Sequence, residues 1–199
     1  QSGVIDTVGF DMYMKLLDEA VEELKHGEFS EEFKDLPKQL ERVDTTIDAF
    51  FEVGIPKNYM PDQADRLSFY TAMFSLVNID EMNEIKEELI DRFGKIPLIV
   101  ERLILTAILR FYASFALFER IIIQKNKIVM VLPKGSNETY YKEKFPSLAK
   151  YIMENRSTQF SFKNEKEIVK LEMAHKFTVP EAILNMLIEF SKGIKELIN

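Results

Sequence analysis

The residues best placed to do chemistry are carboxylates. Glu88 and Asp91 stand three apart in the stretch ELIDRFGKIP, with Glu84 and Glu87 just before them. Carboxylates at that spacing can act as a general acid–base pair, hold a metal ion, dock a basic surface or simply face water. The helix that must position them is predicted to begin near Asp80 and to stop at Gly94, with Pro97 preventing its continuation. Projected at about 100° per residue, Met82, Ile85, Leu89 and Phe93 form one apolar stripe, while Glu84, Glu88 and Asp91 cluster opposite with Glu87 adjacent. The carboxylates therefore point away from the helix's own core contact. Acid–base catalysis needs a partly desolvated cleft, and calcium needs oxygen ligands converging from a loop, so this geometry speaks against both.

Docking and solvation remain. Glu88 can pair with Arg92 at the favourable i,i+4 spacing. Asp91 lies in the last turn before Gly94, where the helix dipole disfavours an anion by about 0.3–1 kcal/mol. A carboxylate kept there despite that cost suits a partner; a solvated charge is the competing reading, and residue types alone leave both open.

Other catalytic signals are thin. The seven glycines, at positions 3, 9, 27, 54, 94, 135 and 193, include no pair spaced for a phosphate-cradling loop. No Gly-Lys-Ser/Thr occurs, and no serine sits in a nucleophile elbow. His26 and His175 are far apart and read as surface or packing histidines. The basic turns KNKI and PKGSN read as solvated hairpin tips rather than phosphate contacts.

The chain has 199 residues, a net charge of -7 and no cysteine. Disulfide and thiolate chemistry are excluded, and an acidic domain lacks the electrostatic footprint for phosphate backbones. The N-terminus lacks the basic and apolar regions of a signal peptide, and the most apolar run, 98 to 118, is interrupted by Glu101, Arg102 and Arg110. A soluble cytoplasmic domain is expected.

Met14, Leu17, Val21 and Leu24 mark an amphipathic helix over 10–25 that Gly27 can end, followed by a charged linker with Pro37. TTIDAFFEV reads as a strand, and Asp62 as the N-cap of a helix through ADRLSFYTAMFSLVN. The carboxylate helix and the apolar fourth helix follow. Two hairpins, RIIIQKNKIVMVLP and TQFSFKNEKEIVKLEM, enclose a helical segment, and a helix opening at Pro180 ends the chain. The expected class is α+β: helices packed with short antiparallel hairpins, an N-terminal helical extension, and no regular alternation to imply a parallel sheet. Phe50, Phe51, Leu67, Tyr70, Leu89, Phe93, Leu103 and Leu109 are expected in the core.

Read as a string, the middle of the chain resembles the C-terminal (TRCF) domain of the bacterial transcription-repair coupling factors, the Mfd family. The matching positions are Tyr59, Met60, Pro61 and Asp62, then Arg66, Leu67 and Tyr70, then Glu88, Leu89, Asp91, Arg92, Phe93, Gly94 and Pro97. VGFDMYMKLLDEAVEELK also looks like the segment where that family's motor ends. Where the family often has Leu-Gly-Ile before the first hairpin, this chain reads Leu117, Phe118, Glu119. The resemblance implies residues 1–44 as the end of the translocase region and 45–199 as the regulatory domain.

It further implies a full-length ATP-driven translocase on double-stranded DNA, a member of the helicase superfamily that removes stalled RNA polymerase and recruits nucleotide-excision repair through UvrA. ATP and Mg belong to motor modules preceding this segment, so the chain is expected to begin in mid-family and to hold no cofactor or metal. The C-terminal domain of the family folds onto the N-terminal UvrB-like module of the same protein and masks its UvrA-binding surface. Its acidic motif positions carry over to Glu88 and Asp91; Glu84, Glu87 and Arg92 complete the expected docking set. A carboxylate-dependent hydrolase and a nucleic-acid-binding module are the alternatives.

Overall fold

Short β-branched runs separated by long apolar helices fix how this chain layers. The computed structural model describes residues 42–199. The N-terminal helix over 10–25 and nearly all of the linker lie outside the described residues. Strand β1, Thr46–Ala49, is followed by helices α1 (Gln63–Phe74), α2 (Glu81–Phe93) and α3 (Leu98–Phe115). Strands β2 (Arg120–Ile123) and β3 (Lys127–Val131) come next. A π-helical turn (Tyr140–Lys144) leads into helix α4 (Phe145–Asn155). Strands β4 (Phe160–Glu165) and β5 (Ile168–Ala174) precede helix α5 (Pro180–Ile198). The class is α+β.

The two expected hairpins form, β2–β3 and β4–β5, but they do not stand apart. Pairing of β3 with β5 merges them into one five-stranded sheet of order β1-β2-β3-β5-β4. One pairing departs from the sequence reading: β1 lies parallel to β2, with Ile47 opposite Ile121. A parallel pair needs a crossover, and here three consecutive helices supply it. Periodicity reports each element's faces and not its partner, so a crossover of that length left no mark.

Core strands carry unbroken apolar runs; Ile128, Val129 and Met130 are all buried. Among the described residues Phe118 is the largest side chain to be fully buried, and Phe190 of α5 stacks on it. Leu109 and Ala113 of α3 and Ile183, Leu187 and Ile194 of α5 complete this layer. Arg102 on α3 bonds Glu181 in the first turn of α5 at 2.6 Å, and Asn199 Nδ2 caps the end of α3 by donating to Phe115 O. Arg110 ties three segments together: its guanidinium donates to Thr45 O, Phe74 O and Asp44 Oδ1.

Of the expected core, Tyr70, Leu89, Leu103 and Leu109 are buried, and Phe51 and Phe93 are half-buried. Phe50 and Leu67 are exposed, at 41% and 44%. Phe50 follows an edge strand, and Leu67 adjoins Arg66, whose inward position turns its neighbour outward on the helix.

Two residues occupy the left-handed region without being glycine: Leu117 (φ 60°) and Lys166 (φ 59°). Leu117 closes α3 in a Schellman arrangement, with Phe118 N–H donating to Ala113 O and Leu117 N–H to Ser114 O. Its side chain is 1% exposed, and that burial, about 1.5–3 kcal/mol, offsets the backbone strain. Lys166 opens the two-residue turn between β4 and β5 and is exposed, so no burial compensates it. Lys166→Gly is expected to raise stability by about 1 kcal/mol. A urea midpoint that stays put or falls would contradict this.

Candidate functional site

The acidic helix is framed by its ends. At its start, the Glu81 carboxylate reaches back to the backbone N–H of Asn78 at 3.1 Å, as a capping box does. At its finish Gly94, at φ 79°, donates to Ile90 O. Only glycine adopts that backbone without strain. The hydroxyl of Tyr59 lies 3.2 Å from Leu89 O and 3.3 Å from Gly94 O, so its single O–H is shared between two carbonyls at the end of α2. Partial burial raises the Tyr59 pKa, so it remains a donor at neutral pH.

Tyr59 is held in turn. Asp62 caps α1, accepting from Asp65 N–H at 2.9 Å. Buried Arg66 donates to Met60 O at 2.6 Å and Pro61 O at 2.8 Å, pinning the loop that carries Tyr59. Tyr70 accepts from Ile55 N–H at 2.8 Å, and its own burial raises its pKa. The rings of Tyr59 and Phe69 both meet Phe93 at 5.9 Å.

Arg92 stitches α2 to α1. Its guanidinium donates to Glu88 Oε1 at 2.8 Å and to Asp65 Oδ1 at 2.7 Å. Those two carboxylates, Glu88 foremost, raise its pKa, and it also lies over the rings of Phe93 and Phe69. The expected docking set is therefore divided by the structure. Arg92 positions the face; Glu88 is half committed to Arg92. Among the described residues Glu84, Glu87 and Asp91 make no ion pair, and all three are exposed. Asp91 stands beside Arg92 without using it.

The apolar stripe settles as the projection indicates. Met82 and Leu89 are buried, Ile85 and Phe93 half-buried. Among the described residues nothing encloses Glu84, Glu87, Glu88 or Asp91, all of which are exposed, whereas acid–base chemistry requires a desolvated cleft. Among the described residues no cluster of three His, Asp or Glu side chains is arranged to hold a metal ion. No helix among them is long and apolar enough to cross a membrane. His175 is a packing residue: Phe177 N–H donates to its Nδ1, which leaves Nε2 to donate to Gln124 O at 2.8 Å. His26 lies outside the described residues.

Sequence reasoning missed two neighbours. Asp65, in the first turn of α1, is the cross-helix anchor of Arg92; its sequence distance from the acidic motif hid it. Ile90 is 54% exposed on α2, among Glu87 and Asp91. It fell off the apolar stripe in the projection and was the one available signal.

An α+β domain with a mixed five-stranded sheet, headed by a helical layer that presents an acidic helix, is the class these features define. Residues 50–143 match the family model of the TRCF domain. The transcription-repair-coupling factor of Bacillus subtilis is 28% identical over 197 residues, 99% of this chain and 16% of that protein. The transcription-repair-coupling factor of Escherichia coli is 41% identical over 97 residues, 49% of this chain and 8% of that protein. A crystal structure of the C-terminal domain of a transcription-repair coupling factor has the same fold, with TM-score 0.65 and 20% identity over 79% of this chain and 96% of that one. The chain carries a TRCF domain, and these relatives are transcription-repair-coupling factors. It spans well under a fifth of the length of those relatives.

Proposed function

We propose that this chain acts as the regulatory docking domain of an ATP-dependent DNA translocase that couples release of stalled RNA polymerase to nucleotide-excision repair. The acidic face of α2 binds basic residues of the N-terminal UvrB-like module in the same protein and so masks the surface that UvrA uses. ATP and Mg serve the motor outside this chain, which supplies no catalytic group of its own; contact with DNA is made by the motor. A cytoplasmic location follows from that role.

The observation that carries this reading is Asp91. Around it, Tyr59, Arg66, Tyr70, Arg92 and Gly94 are each engaged in holding the fold. Asp91 does none of that, is exposed, and sits in the last turn of α2 where the helix dipole opposes it. An arginine from outside satisfies such a carboxylate with charge-assisted hydrogen bonds. A reversible latch within one chain needs only a few such pairs, since both surfaces are held at high effective concentration. Engagement of polymerase or DNA elsewhere favours the released state by mass action.

Titration calorimetry of this chain with the UvrB-like module tests the reading. Between about 0.05 and 0.3 M salt the affinity is expected to fall several-fold, as the Debye length shrinks from about 14 to about 6 Å. Binding that ignores salt, or no binding at the lower concentration, would contradict an electrostatic latch.

A further inference from the structure

The end of the sheet at which β5 runs out carries a second set of groups that the acidic helix does not use. A groove of about 770 Å³ lies between α4, the start of β4, the end of β5 and α5. Its floor is apolar, made by Phe160, Met173, Met186 and Phe190, with the two phenylalanine rings stacked at 4.7 Å. Methionine and aromatic surfaces of this kind adapt to varied apolar side chains. Phe177, 38% exposed on the extended segment that follows β5, lengthens the apolar strip.

The rim is cationic. Arg156 and Lys176 both line the groove and are exposed, and Glu189 is the one carboxylate among the lining residues. His175 joins the β2–β3 turn to this edge, its N–H donating to Asn126 O and its Nε2 to Gln124 O, which places Lys125 in the adjoining turn. In a chain of net charge -7 this basic, aromatic end is a local exception.

Gly193 supplies an independent observation. It lies inside α5 and lines the groove, and among the described residues nothing beyond its own stretch of helix comes within 4 Å of the place its Cβ would take. Glycine weakens a helix interior, and no neighbour among the described residues requires it. A wall left bare suits an occupant that approaches the helix closely.

We infer that this groove docks a short segment of a partner protein in which carboxylates flank an apolar side chain. The apolar side chain lies on the Phe160–Phe190 floor, and the carboxylates meet Arg156 and Lys176. A long polyanion such as single-stranded nucleic acid is disfavoured, because beyond the rim it meets the acidic remainder of the domain.

The test is fluorescence anisotropy of the full chain against an array of labelled hexapeptides, each with Phe, Leu, Ile or Met between Asp and Glu residues. A matched array with Lys in place of the acids and a labelled oligothymidine serve as comparisons. Binding is expected from acidic members and not from their Lys counterparts. Arg156→Glu/Lys176→Glu is expected to weaken it about tenfold or more. Gly193→Leu, at an exposed helical position where a side chain favours the helix, is expected to do the same by filling the groove while circular dichroism stays native. Silence across the acidic array, equal binding by the Lys peptides, wild-type affinity in either variant, or tighter binding of oligothymidine would each overturn the inference.

Discussion

Arg66→Ala is expected to destabilise the domain by about 3–4 kcal/mol, as a fall in urea midpoint at unchanged slope. Arg66 is 7% exposed, and one of its guanidinium nitrogens donates to both Met60 O and Pro61 O. Hydrogen bonds from a charged donor contribute about 1.5–3 kcal/mol each, and truncation leaves the buried Met60 carbonyl without its partner. The damage extends beyond the site of substitution. The loop that Arg66 pins delivers Tyr59 to the end of α2, so the acidic helix loses that tether as well. Arg66→Lys keeps a charged nitrogen with several N–H donors but has a shorter reach and a more strongly hydrated head, and is expected to recover about half of the loss. A midpoint shift worth under about 1 kcal/mol in the alanine variant would mean that the loop is held by its apolar contacts alone.

Asp91→Lys is expected to move stability and docking in opposite directions. The residue is exposed, makes no ion pair among the described residues, and lies in the final turn of α2. Replacing an anion by a cation there converts an unfavourable dipole interaction into a favourable one, a gain of about 0.5–1 kcal/mol. The same change places a positive charge against the arginines of the docked module, with a loss of affinity of about tenfold or more. Glu88→Lys differs in kind. It removes one partner of Arg92 and sets a like charge beside it, so fold and docking suffer together. That contrast separates the residue kept for a partner from the residue that serves both roles.

The parts of this fold written in local pattern were legible in the sequence. Asp62 and Gly94 sit where cap chemistry puts them, and the apolar stripe of α2 projects onto the buried side through Met82 and Leu89. What depends on pairing between distant segments was not. The parallel match of β1 to β2 and the union of two hairpins into one sheet rest on tertiary packing that no local period encodes. The left-handed turn at Leu117 escaped because its usual marker, glycine, is absent and core burial offsets the strain. At the candidate site, the outward direction of the carboxylates was readable from helical geometry. The role of Asp65 was not, since it reaches Arg92 from another helix 27 positions away. The groove beside α5 was likewise invisible: its lining is drawn from three separate stretches of chain.

The measurement that bears most directly on the docking claim is a pair of experiments on Asp91→Lys: urea unfolding of the variant, and its calorimetric titration with the N-terminal UvrB-like module at low salt. A variant at least as stable as wild type that binds the module about tenfold more weakly is the predicted result. Wild-type affinity would remove Asp91 from the interface. Lower stability would instead mean that its carboxylate serves the fold.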